Sequence, residues 1–316
     1  MRTLVLTLLL ALSGQASAAN VGFAHITGLP FDLAVWYPAN APASPQPLEL
    51  FTQTVAPDAP PAPGKHPFVV IAHGNGGSLG GHYDTALALA EAGYVVAAPT
   101  FVHDNYRDHA DELKLWKRPP QIVAAIDAVL HTWSGHDAVD PARIGIFGFS
   151  AGGFTALVLI GGKPDFSKLD TYCHAKPQEF VCTLRKQHPN EPPRPNPIDW
   201  VADKRIRAAV IAAPGLGFTF GKETLADVRV PVQLWAAGND HILPVPDNAE
   251  AVREALPAPP EYRVLPGAEH LDFLAPCSPA LARVAPPICA DHGFDRAAFH
   301  QQFNVAVVQF FDAHLK

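Results

Sequence analysis

The segment Gly148-Phe149-Ser150-Ala151-Gly152-Gly153 is where this chain reads most directly as chemistry. It lies between a strand-like run, Arg143 to Phe147, and a helix-like run, Phe154 to Ile160. Gly-x-Ser-x-Gly in that setting is expected to form a nucleophile elbow. The turn is so sharp that side chains two residues before and two after the serine would meet neighbouring backbone, and glycine relieves both positions. Such a turn lifts the Ser150 hydroxyl clear of a sheet and aims the amide of Ala151 at a reacting oxygen.

A serine hydroxyl is a weak nucleophile until a base takes its proton. The base is expected to be a histidine oriented by a buried carboxylate, in the chain order Ser, acid, His. There are 15 histidines, so position decides among them. His270 follows the last strand-like run, in Leu265-Pro266-Gly267-Ala268-Glu269-His270, where a loop would carry it over the sheet edge. Its rivals His292, His300 and His314 lie in or near a terminal helical segment. Asp240 is the expected acid. It ends Leu234-Trp235-Ala236-Ala237-Gly238-Asn239-Asp240, directly after another strand-like run, and Gly238 and Asn239 permit a tight turn there. Asp203, Asp227 and Asp247 are the rival acids.

Attack on a carbonyl creates an oxyanion, which needs two pre-aimed N–H donors. Ala151 is expected to supply one. The other is assigned to Asn75, in the loop His73-Gly74-Asn75-Gly76-Gly77, where glycines let backbone approach a substrate closely. His73 is read as a brace for this loop. A base of this kind must be neutral to work, so activity is expected to rise with pH through about 6–7.5. His103, Asp104, His109 and Asp111 cluster after the fourth strand-like run; they read better as pocket lining than as metal ligands, and no metal is expected. Trp116, Phe149, Trp235 and Phe218 are candidates to shape an acyl or alcohol pocket, with Phe149 and Trp116 named as substrate-binding.

The elements that must position these residues are legible as short apolar runs. Eight read as strands: Val21–Ile26, Leu33–Tyr37, Phe68–Ala72, Tyr94–Ala98, Ile144–Phe147, Ala208–Ala212, Val232–Trp235 and Tyr262–Leu265. Helix-like segments alternate with the later ones. Tyr83 to Ala92 stops at Gly93, Pro120 to Leu130 opens on proline, and Ala151 to Ile160 stops at Gly161. Asp247 to Leu256 begins on a good cap residue, and Phe299, Phe303, Val307 and Phe310 recur at helical spacing. Strands alternating with helices predict an α/β fold with a mostly parallel central sheet of about eight strands and helices on both faces. Two leading strands with no helix between them predict an antiparallel edge.

Two stretches break the rhythm. Ala39 to Pro67 is proline-rich and reads as a surface excursion. Residues 162–204 are longer than an ordinary connection and read as a cap over the active site or an excursion elsewhere. There is no internal repeat and no linker, so residues 19–316 are expected to form a single domain.

Composition bounds the function. The chain has 316 residues, 48% hydrophobic and 17% charged, which suits a sizeable core. Net charge is -7 with Lys and Arg few and scattered, so no nucleic-acid partner is expected. Arg2, the apolar run Leu4 to Leu12, and Ala16-Ser17-Ala18 read as a secretory signal peptide over residues 1–18. The run is too short to span a bilayer and no cysteine sits at the cleavage site, so no stable membrane anchor is expected. The mature chain is expected in the periplasm or outside the cell. Export makes disulfides the natural reading of Cys173, Cys182, Cys277 and Cys289. Of three possible connectivities, Cys173–Cys182 with Cys277–Cys289 is expected, because each pair staples one loop, at about 2–3 kcal/mol apiece.

With these residues in view, the chain resembles the α/β-hydrolase superfamily over nearly its whole mature length. Within it, the chain is similar to bacterial proteins described as predicted dienelactone hydrolases, related to platelet-activating-factor acetylhydrolases. The pieces that carry this are Leu33-Ala34-Val35-Trp36-Tyr37-Pro38, His73-Gly74-Asn75-Gly76, Leu115-Trp116-Lys117-Arg118-Pro119, the elbow, and the Asp240 and His270 loops. The resemblance implies a cofactor-free Ser-Asp-His esterase acting on small-molecule esters with short acyl groups. Dienelactone hydrolases proper carry a cysteine nucleophile; Ser150 stands there in this chain, which favours ordinary esters over lactones. A lipase, phospholipid acetylhydrolase or polyester hydrolase is the alternative, although polyester hydrolases carry Met where this chain has Ala151. A non-catalytic binding module would have lost part of the triad or the oxyanion loop. A peptidase would need an extra domain or an acidic pair for the peptide amine.

Overall fold

The computed structural model describes residues 20–190 and 198–316. The expected signal peptide lies outside the described residues, as does most of the proline cluster before Ile198.

Ten strands form one sheet. They are β1 (Asn20–Ile26), β2 (Leu33–Ala39), β3 (Ser44–Leu48), β4 (Phe51–Pro57), β5 (His66–Ala72), β6 (Val95–Pro99), β7 (Val139–Phe149), β8 (Ile206–Ala212), β9 (Val232–Ala237) and β10 (Glu261–Leu265). Their spatial order is β10-β9-β8-β7-β5-β6-β2-β1-β4-β3. The six strands from β10 to β6 are parallel, and β2 runs antiparallel to both β6 and β1. The fold is α/β and mostly parallel; the two leading strands pair antiparallel, but they lie inside the edge, because β4 and β3 extend the sheet beyond β1.

The two strands beyond the expected eight sit in the proline-rich stretch. There β3 pairs antiparallel with β4, Pro45 opposite Thr54 and Pro47 opposite Thr52. Ser44-Pro45-Gln46-Pro47-Leu48 lacks an apolar run because it is the outermost strand. Proline has no N–H to give a ladder, so it is tolerated where one side of the strand has no partner.

Apart from the edge strand β10, the parallel strands are largely buried on both faces, which is why they read as continuous apolar runs rather than alternating ones. Alternation still sorts their side chains. Along β5, Phe68, Val70 and Ala72 enter one core and Val69 and Ile71 the other. On the first face pack α2 (Arg118–His131) and α3 (Ala151–Leu159), through residues such as Ile122, Ile126, Phe154 and Leu157. On the second lie α1 (Tyr83–Glu91) and α8 (Arg296–Leu315), through Leu89, Phe303 and Phe311. Gly93 and Gly161 follow α1 and α3 at φ +98° and +118°, a region that glycine enters without penalty.

The described residues of 162–204 include two short helices, α4 (Lys168–Ala175) and α5 (Phe180–Gln187). Cys173 is disulfide-bonded to Cys182 and links them, while Cys277 bonds Cys289 before α8. The stretch leaves and returns at one place, since Asp203 N donates to Leu159 O at 2.8 Å. The next helix, α6 (Ala249–Ala255), starts two residues later than expected. Its N-cap is Asn248, and Asp247 instead holds α4 by accepting from Lys176 Nζ and, at 3.1 Å, from Tyr172 Oη. Among the described residues, no helix is long and apolar enough to cross a membrane.

Candidate active site

Strand β7 ends in the elbow. Ser150 has φ +58° and ψ -118°, a strained conformation for a residue with a side chain, and its amide is held by Ala212 O of β8 at 3.0 Å. The two motif glycines are there for space. A Cβ on Gly152 would stand 1.9 Å from Ala72 O, and one on Gly148 would stand 2.3 Å from Gly152 O. Both obstacles are backbone and cannot turn aside.

The loops after β9 and β10 bring the other two residues to Ser150. They are stitched together by Gly238 N donating to Leu265 O and Asn239 N to Ala268 O, both at 2.8 Å. Asp240 Oδ2 then lies 2.7 Å from His270 Nδ1, and His270 Nε2 lies 2.9 Å from Ser150 Oγ. The other oxygen of Asp240 accepts from the amides of Ile242 and Leu243 at 3.0 and 2.7 Å. These bonds fix the orientation of the carboxylate. All three residues are buried, Ser150 to 8% exposure, so their polar atoms meet one another more than water.

The His270 loop is itself braced. Asp272 Oδ2 accepts from Glu269 N at 2.7 Å, and Asp272 Oδ1 accepts from Arg296 Nε of α8 at 3.3 Å. Phe149 packs its ring 4.8 Å from the His270 ring and 6.1 Å from Phe273.

The rival residues have other partners. His300 bonds Asp84 at 2.7 Å, His292 is exposed with Glu269 3.8 Å away, and His314 packs on Phe310. Asp203 is bound by Arg205 and Asp227 by Lys163.

The loop carrying Asn75 is organised from below by groups that its own sequence does not suggest. Arg118, at the start of α2, is buried; its Nη1 donates to His73 O at 2.7 Å and its Nη2 to Gly74 O at 3.1 Å. Its Nε donates to Asp104 Oδ2 at 2.6 Å. Asp104 Oδ1 accepts from Gly76 N at 3.2 Å and Asn75 Nδ2 at 3.4 Å. Burial would push the Asp104 carboxyl up, but Arg118 outweighs it and holds the group below the usual carboxylate range. His73 accepts from Phe101 N at 3.0 Å and lies 2.7 Å from Gly74 O, so it braces the loop as its position suggests. The remaining members of the acidic and histidine cluster pair locally, His103 with Asp108, His109 with Glu112, and Asp111 with Lys114 and Lys117. Among the described residues, no group of three or more His, Cys, Asp or Glu is arranged to hold a metal ion.

Beside Ser150 opens a cavity of about 920 Å³, lined in part by Asn75, Ala151 and Trp116. Phe149 does not line it, contrary to expectation. As the residue before Ser150 it points to the opposite sheet face, where it packs on His270. Trp235 also turns to that face, onto Phe303, and Phe218 is stacked on Tyr172 at 3.7 Å. The lining that sequence did not single out comes mostly from residues 162–204, including Phe166, Val181, Leu184 and Trp200.

A serine on a strand-to-helix elbow, with an acid and a histidine on later loops of a parallel sheet, defines the architecture of the α/β-hydrolase superfamily. Residues 53–180 match the dienelactone hydrolase family, a span that includes the Asn75 loop and Ser150 but stops before Asp240 and His270. Over that span the chain is similar to dienelactone hydrolases, and its fold is the α/β-hydrolase fold. A solved structure with the same fold is a ferulic acid esterase from Streptomyces cinnamoneus. It superposes with a TM-score of 0.65 at 20% identity, covering 96% of this chain and 92% of its own. No curated protein matches.

Proposed function

We propose that the protein is an exported serine carboxylesterase that works through an acyl-enzyme. The observation that carries this is the pair of hydrogen bonds through His270, 2.9 Å to Ser150 Oγ and 2.7 Å to Asp240 Oδ2. Ser150 Oγ attacks the ester carbonyl carbon while its proton passes to His270 Nε2. Asp240 holds the imidazole through Nδ1–H and stabilises the imidazolium that forms. The carbonyl oxygen, now negative, is received by the amides of Ala151 and Asn75. Gly76 N and Gly77 N are committed to Asp104 and Gly74 O, which supports the Asn75 amide as the loop's donor. The intermediate collapses as His270 returns the proton to the leaving alcohol. Water then attacks the acyl-enzyme, again with His270 as base, and Ser150 is released. The reading uses no cofactor, and its partner is a small-molecule ester. The two disulfides support an oxidising compartment, hence export.

The test compares wild type with Ser150→Ala, following p-nitrophenol release from esters of several acyl lengths. The expected result is turnover by wild type that the variant lacks. Equal turnover by both would remove Ser150 from the reaction. The short acyl groups implied by the resemblance would leave most of the cavity beside Ser150 unfilled.

A further inference from the structure

The cavity of about 920 Å³ can be assigned to one half of the substrate. Ser150, Ala151 and Asn75 line it, and His270 does not. The leaving alcohol must depart within reach of His270 Nε2, because that atom protonates it. A carbonyl held between Ser150 and the two amides therefore turns its alcohol toward His270 and its acyl group into the cavity.

The walls say what kind of acyl group fits. Leu216 and Leu243 line the cavity together with Gly215, whose amide donates to Ser150 O at 3.0 Å. Trp116 and Trp200, also in the lining, flank Phe166, with ring centroids 6.5 and 5.4 Å from it. The roof is one face of α5, where Val181 and Leu184 lie about a turn apart. Charged lining groups are already engaged. His188 Nε2 lies 2.6 Å from Glu112 Oε1, Arg185 Nη2 is 2.7 Å from Asp170 Oδ1, and Asp165 accepts from Ser167. The lining is thus mixed, with aromatic and aliphatic side chains beside charged groups that already have partners.

Resting on the esterase reading above, we propose that this is the acyl site and that the substrates carry a bulky apolar acyl group, of medium-chain alkyl or arylalkyl size. Pockets of about 300–1,000 Å³ hold ligands of drug size, and this one is near the top of that range. An acetyl group would leave the aromatic and aliphatic walls in contact with water. A longer group removes that surface from water, and its effect grows with each methylene added.

The test uses the mature, oxidised chain with p-nitrophenyl acetate, octanoate and 3-phenylpropanoate, in wild type and Leu184→Trp. The indole would project from the roof into the acyl site. In wild type, kcat/KM for at least one bulky ester is expected to exceed that for acetate by about tenfold or more. In Leu184→Trp that ratio is expected to fall by about tenfold. Preference between octanoate and 3-phenylpropanoate tells alkyl from arylalkyl substrates. Should Leu184→Trp lose its near-ultraviolet circular dichroism, Val181→Trp takes its place from the same roof. Acetate as the best ester, with a ratio indifferent to the roof substitution, overturns the acyl site and leaves the esterase standing. Failure to turn over any of the three esters, with Ser150 also unreactive toward a fluorophosphonate, overturns the esterase reading and the acyl site together.

Discussion

Arg118 and Asp104 are joined by a 2.6 Å hydrogen bond beneath the loop that carries Asn75, with both side chains almost wholly buried. The guanidinium fork takes the carbonyls of His73 and Gly74, and the carboxylate takes the amide of Gly76. Between them the two side chains fix the backbone on both sides of Asn75 without touching the space where a substrate would sit. Arg118→Lys keeps the charge but loses the planar fork, and an ammonium cannot make the same set of bonds. We expect kcat for ester hydrolysis to fall by about ten- to a hundredfold, with a smaller change in KM. Steady-state kinetics check this; a lowered melting temperature with unchanged kcat would mean a structural role only.

Asp240→Asn should be more severe than its isosteric character suggests. Its two backbone bonds come from Ile242 N and Leu243 N to an oxygen, which an amide can still accept. At His270 Nδ1 the amide cannot stabilise an imidazolium, and it can impose the wrong tautomer. A loss of roughly 10⁴ in kcat is expected, with the fold kept. Kinetics beside far-ultraviolet circular dichroism measure both.

Stability should fall as pH falls through the histidine range. Burial, with help from Arg118, pushes the His73 imidazole down to about 3, and burial pushes His82 down to about 4. Unfolded, each titrates near 6.5. Below that pH the unfolded chain binds protons that the folded chain refuses, so stability is lost as pH drops toward 4. The slope is about 1.4 kcal/mol per pH unit for each histidine. Urea unfolding at pH 7, 6 and 5 tests this; a constant midpoint would refute it.

Gly152→Ala is expected to be among the most damaging single-methyl additions in the chain. Its Cβ would have to displace the carbonyl of Ala72 in the central strand β5, from 1.9 Å away. A loss of about 4 kcal/mol or more is expected, or no soluble protein at all. Chemical denaturation or soluble yield reads the outcome.

Removing the Cys173–Cys182 bridge, as the double serine variant, should act locally. The bridge closes a loop between residues nine apart, for which about 2–3 kcal/mol is expected. The sheet does not depend on it, so limited proteolysis should cut within residues 168–187 while global unfolding changes little. A large drop in the global transition would show that the two helices are part of the main cooperative unit.

Much of this arrangement was legible in the sequence because its signals are local. Ser150, Asp240 and His270 each follow an apolar strand closely, with glycine or another turn former beside them. What was not legible depends on distant encounters. Arg118 meets His73 across 45 residues, and nothing around either announces the other. Its place beside Ser150 suggests pocket lining for Phe149, but strand alternation sends it to the other face. The β3–β4 hairpin escaped because an edge strand can be built from proline and polar residues. The pocket lining in residues 162–204 escaped because short helices with little core of their own leave no strong period.

The neighbouring ends of that stretch, tied by Asp203 N to Leu159 O, have an evolutionary consequence. A segment that departs and rejoins at a single point can be lengthened, shortened or exchanged without disturbing strand register on either side. In the proposed mechanism the reacting groups belong to the sheet and its loops, while much of what would meet the acyl group belongs to residues 162–204. Selectivity can therefore drift, or be engineered by transplanting one contiguous piece of chain, while the machinery for bond cleavage is inherited intact.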